Sequence, residues 1–254
     1  MPQVSRVVAV VNDLKDLNFV AQKSVELAKI YNASIEVLFV KEKHFTIDSL
    51  FFDDEVLNKD KVEQELKKSF QKLDAPKGIA YFVKIDDTAD RVWSLVRDEK
   101  DAIVVMPFYK DISKEVVNNV SCDVYILKDD VKTKKALIVV DDLDDIKQIK
   151  SKLQALNIEI DEVAYNYNYI APTAVTDPVV DTNMGIEQEL LQMQENQFKE
   201  LLQKEGLKGR LFINSLDEDL ELIDFINSKT DDLIVLSSND IDIEDIKANV
   251  YYIR

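Results

Sequence analysis

The chain contains two copies of one pattern, which run in the same order at a nearly constant spacing. Residues 5–13 (SRVVAVVND) match residues 134–142 (KKALIVVDD), and three further pairs of segments follow, all at offsets of 126 to 131 residues. Those pairs are KGIAYFV and KGRLFIN, DAIVVM and DLIVL, and CDVYIL and ANVYYI. Unrelated apolar segments would not keep their order and spacing over such distances. The sequence therefore predicts two tandem domains, repeat 1 over residues 1–129 and repeat 2 over residues 134–254.

The composition fits two soluble lobes that each bury a core. The chain has 254 residues, of which 46% are hydrophobic and 32% charged, a balance typical of globular proteins. The single cysteine, Cys122, excludes an intrachain disulfide framework. No apolar run approaches the roughly 20 residues that span a bilayer, and residues 1–12 lack the features of a signal peptide. A cytoplasmic location without membrane association is expected.

The net charge limits the partners that the protein can bind. The formal charge is −17, and no stripe of lysine or arginine interrupts the acidic residues. A nucleic acid or an anionic membrane would be repelled over most of such a surface. We therefore expect no nucleic-acid partner, and we read the acidity mainly as a source of solubility.

Apolar strand-like runs alternate with amphipathic helical segments in both repeats. The run over residues 6–11 is typical of a strand buried on both faces of a parallel sheet. In repeat 1 the patterns predict strands over 6–11, 34–40, 78–85, 102–106 and 123–127, and helices over 17–31, 55–73 and 87–98. In repeat 2 they predict strands over 136–140, 158–167, 210–215, 233–236 and 250–253, and helices over 144–156, 186–204 and 217–228. The fold class is therefore α/β, with two tandem doubly wound five-stranded parallel-sheet sandwiches.

The order of these elements, the segment VVAVVND and the closing segment VSCDVYILK resemble the universal stress protein family, here in tandem. The resemblance covers nearly the whole chain and implies an adenine nucleotide alpha hydrolase-like fold in each repeat. The linker of about six residues keeps the two lobes close, so an intramolecular pseudo-dimer is the expected arrangement. A role in stress is implied by this resemblance alone.

The resemblance also implies where a nucleotide site should lie, and the chain departs from the family there. Nucleotide-binding members carry a Gly-x2-Gly-x9-Gly-(Ser/Thr) loop after the fourth strand, where backbone amides approach the phosphates. This chain has four glycines, Gly78, Gly185, Gly206 and Gly209, and none follows a predicted fourth strand. Pro107 stands at the place of the first glycine of the motif. A conventional ATP site is not expected in either repeat, although ATP or AMP bound at a degenerate site stays an alternative.

Five residues are the candidates for cofactor binding. By the resemblance, Asn12 and Asp13 in repeat 1, and Asp141 and Asp142 in repeat 2, match the position that meets a ribose or a metal, and Val40 matches a backbone contact to adenine. Each has a plainer interpretation, because Asn and Asp favour helix N-caps and Val40 fits a sheet core. Asp141, Asp142, Asp144 and Asp145 could attract a divalent cation, but without a spaced ligand loop no metal site is assigned.

No catalytic constellation is recognisable in the sequence. His44 is the only histidine, and it has no Ser, Cys or carboxylate partner at motif spacing. Cys122 begins an apolar strand, where a thiol is expected to be inert. Trp93 is expected in the core from its helical periodicity, and Asp16 is expected to cap the helix over 17–31. We therefore expect that the protein is not an enzyme.

One region suggests a surface for a partner. Tyr165, Tyr167 and Tyr169 alternate with asparagines, and a long loop over residues 170–185 follows them. Tyrosine is enriched at interfaces, so the region predicts a homo-oligomer or protein contact, while a contact between the two lobes is the other interpretation. The resulting hypothesis is a non-catalytic, stress-associated binding or scaffolding protein. The alternative is a small-molecule or nucleotide sensor that uses a degenerate site.

Overall fold

The structure is a computed structural model that describes residues 4–42, 58–129, 134–168, 183–214, 219–229, 233–238 and 240–254. The chain divides into two compact units. Unit 1 comprises Met1–Lys132 together with Asn239–Arg254, and unit 2 comprises Thr133–Ser238. Within the described ranges, no helix has both the length and the apolar character needed to cross a membrane.

Unit 1 is a mainly parallel sheet flanked by helices. Its strands, numbered in chain order, are β1 (Arg6–Val11), β2 (Ser34–Glu42), β3 (Ala80–Asp86), β4 (Ala102–Pro107), β5 (Asp123–Leu127) and β10 (Val250–Tyr252). They lie in the order β3-β2-β1-β4-β5-β10, and only β10 runs antiparallel to its neighbour β5. The helices are α1 (Leu17–Tyr31), α2 (Lys59–Gln71), α3 (Thr88–Val96) and α4 (Lys110–Asn119).

The core of unit 1 follows from the run of aliphatic residues in β1. This strand lies between β2 and β4, with Val8 opposite Glu36 on one side and Val104 on the other. Val7 to Val11 are fully buried, as expected for a central parallel strand with helices on both faces. Helix α1 ends at Tyr31, and its C-cap residue Asn32 adopts a left-handed conformation at φ 52°, which asparagine tolerates better than most residues.

Unit 2 contains four parallel strands in the order β9-β6-β7-β8. They are β6 (Lys135–Val140), β7 (Glu159–Asn168), β8 (Gly209–Asn214) and β9 (Leu233–Leu236), and the helices are α5 (Asp145–Ala155), α6 (Asn183–Glu205) and α7 (Asp219–Asn227). This order repeats β4-β1-β2-β3 of unit 1. The predicted α/β class with mainly parallel strands is therefore confirmed.

The structure differs from the sequence-based expectations at three places. Helix α4 lies in a segment for which no helix was predicted. The last strand, expected to complete the sheet of repeat 2, pairs antiparallel with β5 in unit 1. Trp93 is 39% exposed instead of buried, because α3 buries a narrow stripe of Ala89, Val92 and Val96, and Trp93 lies beside that stripe with Arg97 stacked on its ring at 4.9 Å. The repeat boundaries, 1–129 and 134–254, stay a prediction.

Candidate functional site

The candidate crevice of unit 1 lies between β1 and β4, where the order in which the chain adds strands to the sheet reverses. From β1 the chain continues to β2 on one side, whereas β4 lies on the other side of β1 and leads to β5. In open α/β sheets, ligands bind outside the carboxyl ends of the strands at such a switch point. Asn12 and Asp13 follow β1 there, and Phe108 and Tyr109 follow β4. Two of the five candidates from the sequence, Asn12 and Asp13, therefore lie at this switch point.

The side chain of Tyr109 crosses this crevice. Its hydroxyl accepts hydrogen bonds from the backbone N–H groups of Asn12 (3.2 Å) and Asp13 (3.3 Å) and donates one to Asp16 Oδ2 (2.8 Å). Burial, assisted by the hydrogen bond to Asp16, raises the pKa of Tyr109 well above its ordinary value. The hydroxyl is therefore neutral at physiological pH, and the two amides that follow β1 are occupied by the protein itself.

The side chain of Asn12 joins the ends of three elements. Its Nδ2 donates to Thr88 Oγ1 at the start of α3 (2.5 Å) and to Glu42 Oε1 at the end of β2 (3.4 Å). The same carboxylate oxygen of Glu42 accepts from the backbone N–H of Thr88 at 3.0 Å. Asn12 therefore connects the end of β1 to the end of β2 and the start of α3, and it is not a helix cap.

Asp13 caps a helix, which was the alternative to ligand binding for this residue. Its Oδ1 accepts from the backbone N–H of Lys15 at 3.0 Å and caps a short 3-10 helix, Leu14–Asp16. This backbone hydrogen bond and the bond to the Lys15 ammonium lower the pKa of Asp13. Asp16, expected to cap α1, makes no such bond and accepts from Tyr109 instead. The side chain of Val40 is fully buried in β2, as a core residue would be.

Unit 2 has an open pocket at the corresponding strand ends. It has a volume of about 420 Å3 and lies at the carboxyl ends of β6 and β7 beside α6. Its lining residues are Asp141, Asp142, Leu143, Asp144, Tyr165, Gln194, Gln197 and Leu201. Asp142 Oδ1 accepts from the backbone N–H of Asp144 at 2.9 Å, so this carboxylate also shapes the turn. Among the described residues, no group of three or more His, Cys, Asp or Glu side chains could hold a metal ion.

The tyrosines that were predicted to form a partner surface differ in their placement. Tyr165 is only 4% exposed, packs against the tilted ring of Phe198 with ring centroids 5.4 Å apart and donates to Gln194 Oε1 at 3.1 Å. Its burial within unit 2 leaves little of it for a partner. Tyr167 is half-buried, with its ring centroid 6.0 Å from that of Tyr165. Tyr169 and most of the loop over 170–185 lie outside the described residues, as does His44.

Several residues of these sites were not identified from the sequence. Tyr109, Glu42 and Thr88 form the network in unit 1, and Gln194 and Gln197 line the pocket in unit 2. Tyr109 and Glu42 lie at or directly after the carboxyl ends of strands, so strand-end position was the signal that could have located them. The glutamines lie within a helix, and nothing in their spacing indicates a pocket.

Comparison with solved structures gives the fold class of the chain. A universal stress protein from Archaeoglobus fulgidus DSM 4304 matches with a TM-score of 0.55 and 14% identity, over 99% of each chain. A protein assigned provisionally to the universal stress proteins, from Pseudomonas aeruginosa UCBPP-PA14, matches with a TM-score of 0.60 and 9% identity, over 98% of this chain and 93% of the other. The chain thus has the fold of universal stress proteins.

A third similar structure, a protein of unknown function from Pseudomonas aeruginosa PAO1, has a TM-score of 0.61 and 10% identity, over 98% of this chain and 92% of that one. No protein-family model and no curated protein matches this chain. At such low identities the likeness extends to the fold and does not by itself assign an activity.

Proposed function

We propose that the protein is a binding or scaffolding protein of the universal stress protein type that performs no catalysis and does not bind ATP in the conventional way. The proposal includes a cytoplasmic location, with which the single cysteine of the sequence agrees. The stress role rests on the shared fold. The absence of conventional ATP binding rests on the loop that follows β4.

The observation that carries the proposal is that Pro107, Phe108 and Tyr109, at the end of β4 and directly after it, offer no free backbone N–H group. Pro107 has no N–H group. The N–H of Phe108 donates to the carbonyl oxygen of Leu127 at 2.9 Å, and the N–H of Tyr109 donates to Ser113 Oγ at 2.7 Å. A phosphate site in this loop needs free N–H groups that point at the ligand. Pro107 has no such group to offer, and Phe108 and Tyr109 could offer theirs only by breaking an existing hydrogen bond.

The equivalent segment after β9 is also unsuited to a polyphosphate. It contains Asp240, Asp242, Glu244 and Asp245, whose charges oppose a polyanion. The N–H of Glu244 is taken by Asp242 Oδ1 at 3.0 Å, and the N–H of Asp245 by the carbonyl oxygen of Asp242 at 3.1 Å. Pro107 to Tyr109 therefore offer no free donor to a phosphate after β4, and the segment after β9 adds acidic side chains that disfavour one.

Titration calorimetry with MgATP tests the proposal directly. The purified chain is expected to show no saturable heat, because a triphosphate held by the backbone amides after β4 would have to displace Phe108 and Tyr109 from their partners. A universal stress protein that retains the glycine loop serves as the positive control. A saturable isotherm with a micromolar Kd for this chain would overturn the proposal.

A second candidate function, a small-molecule sensor, is favoured by the pocket of unit 2. Its three aspartates disfavour anions, while the amides of Gln194 and Gln197 can donate and accept hydrogen bonds. The pocket therefore suits a neutral or cationic molecule. Mass spectrometry of the denatured protein separates the candidates, since a stoichiometric co-purified small molecule supports a sensor and its absence supports a scaffold.

A further inference from the structure

The hydroxyl of Tyr109 has the environment of a bound ligand group. Two N–H donors, from Asn12 and Asp13, converge on it from one loop, and one carboxylate acceptor, Asp16, faces it from the start of α1. These contacts come from residues that follow β1, whereas Tyr109 follows β4. The side chain of Tyr109 therefore extends from the end of β4 across the switch point to the residues after β1. Ligands bind at such a switch point in open α/β sheets.

The three contacts define one kind of chemical group. A hydroxyl can accept from two N–H groups and donate its own proton to a carboxylate. A carboxylate has no proton to give to Asp16 at neutral pH, and the charges of Asp13 and Asp16 would repel both a carboxylate and a phosphate. An ammonium could bind Asp16 but has no lone pair with which to accept from the amides. The constellation is thus specific for a neutral hydroxyl.

We propose that Tyr109 is an internal plug, which occupies a hydroxyl-binding crevice in unit 1 and excludes neutral, hydroxyl-bearing small molecules until it is displaced. This inference rests on the proposed function, in which unit 1 is not a conventional nucleotide site. The backbone of Tyr109 is held by Ser113 Oγ, while its side chain is only half-buried. Rotation about the Cα–Cβ bond can therefore move the ring outward without breaking the bond that anchors the residue.

Removal of the ring tests the plug, with phenol as the probe. Tyr109→Ala keeps the Cβ atom and leaves a space with the shape of phenol. Phenol added to this variant can restore the three hydrogen bonds. Benzene has the shape of the ring but no hydroxyl, so it serves as the control probe. Phenol is expected to bind the variant at least about tenfold more tightly than benzene, because benzene would form no hydrogen bond with the two amides and the carboxylate. The measurement is the shift of the Asn12 and Asp13 amide signals in an NMR titration.

The wild-type chain and a second variant complete the experiment. Wild-type protein should show no saturable phenol shift at Asn12 or Asp13. Tyr109→Phe keeps the ring but loses the hydroxyl, so these two amides should exchange with solvent at least about tenfold faster, and this holds even if Tyr109→Ala does not fold. Tyr167→Phe, which removes a hydroxyl from unit 2, is the matched control and should change neither amide.

Three results would overturn the inference: equal binding of phenol and benzene by folded Tyr109→Ala, saturable phenol binding at these amides in the wild type, or unchanged exchange in Tyr109→Phe. Each differs from a failure of the proposed function, which shows as ATP binding by the wild-type chain. The phenol and benzene titrations of the folded variant, read at Asn12 and Asp13, therefore decide the question.

Discussion

Cys122 illustrates how burial decides the chemistry of a single residue. The side chain is fully buried directly before β5, next to the carboxylate of Asp123. Burial, with a smaller contribution from the charge of Asp123, raises the pKa of the thiol to about 12. Since the thiolate and not the thiol is the nucleophile, the structure favours the inert role that the apolar sequence around Cys122 indicated.

We predict that Cys122 in the native protein resists thiol reagents. At pH 8 its reaction with a disulfide reagent should be at least about a thousandfold slower than in guanidinium chloride, because the reaction requires unfolding. Above pH 9 the thiol ionises in the unfolded chain, whereas in the folded chain it keeps its proton to about pH 12. Between these pH values, rising pH therefore lowers the free energy of unfolding. Cys122→Ser provides the blank, and fast labelling of the folded protein would contradict the prediction.

The individual site residues were only partly predictable. The position of Asn12 and Asp13 after an apolar strand was enough to place them at the crevice, because strand ends in parallel sheets meet at one edge. The sequence could not distinguish their roles, since Asp13 caps a turn while Asn12 bonds to Thr88 and Glu42, which lie far away along the chain. Those contacts depend on how the elements pack and are not encoded in local spacing.

At the scale of elements, the predictions succeeded where apolar residues were continuous and failed where a polar residue is buried. The aliphatic runs of β1 and β4 were recognised because both strands are buried on both faces. Helix α4 was missed because its buried face includes Ser113 beside Val116 and Val117, which weakens the apolar periodicity. Ser113 is buried because its hydroxyl accepts from the N–H of Tyr109, a contact that only the folded chain reveals.

Packing of α6 on the sheet of unit 2 depends on the glycine that begins β8. A Cβ atom at Gly209 would lie 2.5 Å from Val163 O and 2.7 Å from Phe198 Cζ, too close for either. Gly209→Ala should therefore lower the free energy of unfolding by about 1–3 kcal/mol, the usual cost of overpacking. Chemical denaturation followed by circular dichroism measures the change, and a loss below about 0.5 kcal/mol would contradict the steric argument. The exposed neighbour variant Lys208→Ala should be nearly neutral.

At the scale of the molecule, unit 1 is built from two separate parts of the chain. The segment over 240–254 belongs to this unit, and several hydrogen bonds join it to the residues that follow β5. Asn249 Oδ1 accepts from the backbone N–H groups of Lys128 (2.6 Å) and Asp129 (2.9 Å). The Lys128 ammonium donates to the carbonyl oxygens of Ile243 and Ile246. A repeat pattern in the sequence cannot reveal such a discontinuity, because it indicates that a strand exists but not which strand it pairs with.

The last strand is predicted to be essential for the stability of unit 1. Val250, Tyr251 and Tyr252 are almost completely buried, and the buried carboxylate of Asp123 accepts from the Tyr251 hydroxyl (2.8 Å) and from the backbone N–H of Arg254 (3.0 Å). Burial of large side chains stabilises by about 1.5–3 kcal/mol each. Deletion of residues 250–254 should therefore remove about 5 kcal/mol or more, a large share of the stability of a typical domain.

Thermal unfolding and light scattering of the full chain and the deletion variant measure this effect. The deletion exposes the edge of β5 and removes the two hydrogen bonds that Tyr251 and Arg254 donate to Asp123, and an open edge of this kind promotes association between copies. We expect a lower Tm and concentration-dependent scattering. Arg254→Ala is the matched control, because it keeps β10 and the backbone N–H to Asp123 and removes side-chain contacts, among them the guanidinium bond to the carbonyl oxygen of Val117 and the contact with the Tyr252 ring. An unchanged Tm in the deletion variant would show that unit 1 holds together without its C-terminal segment.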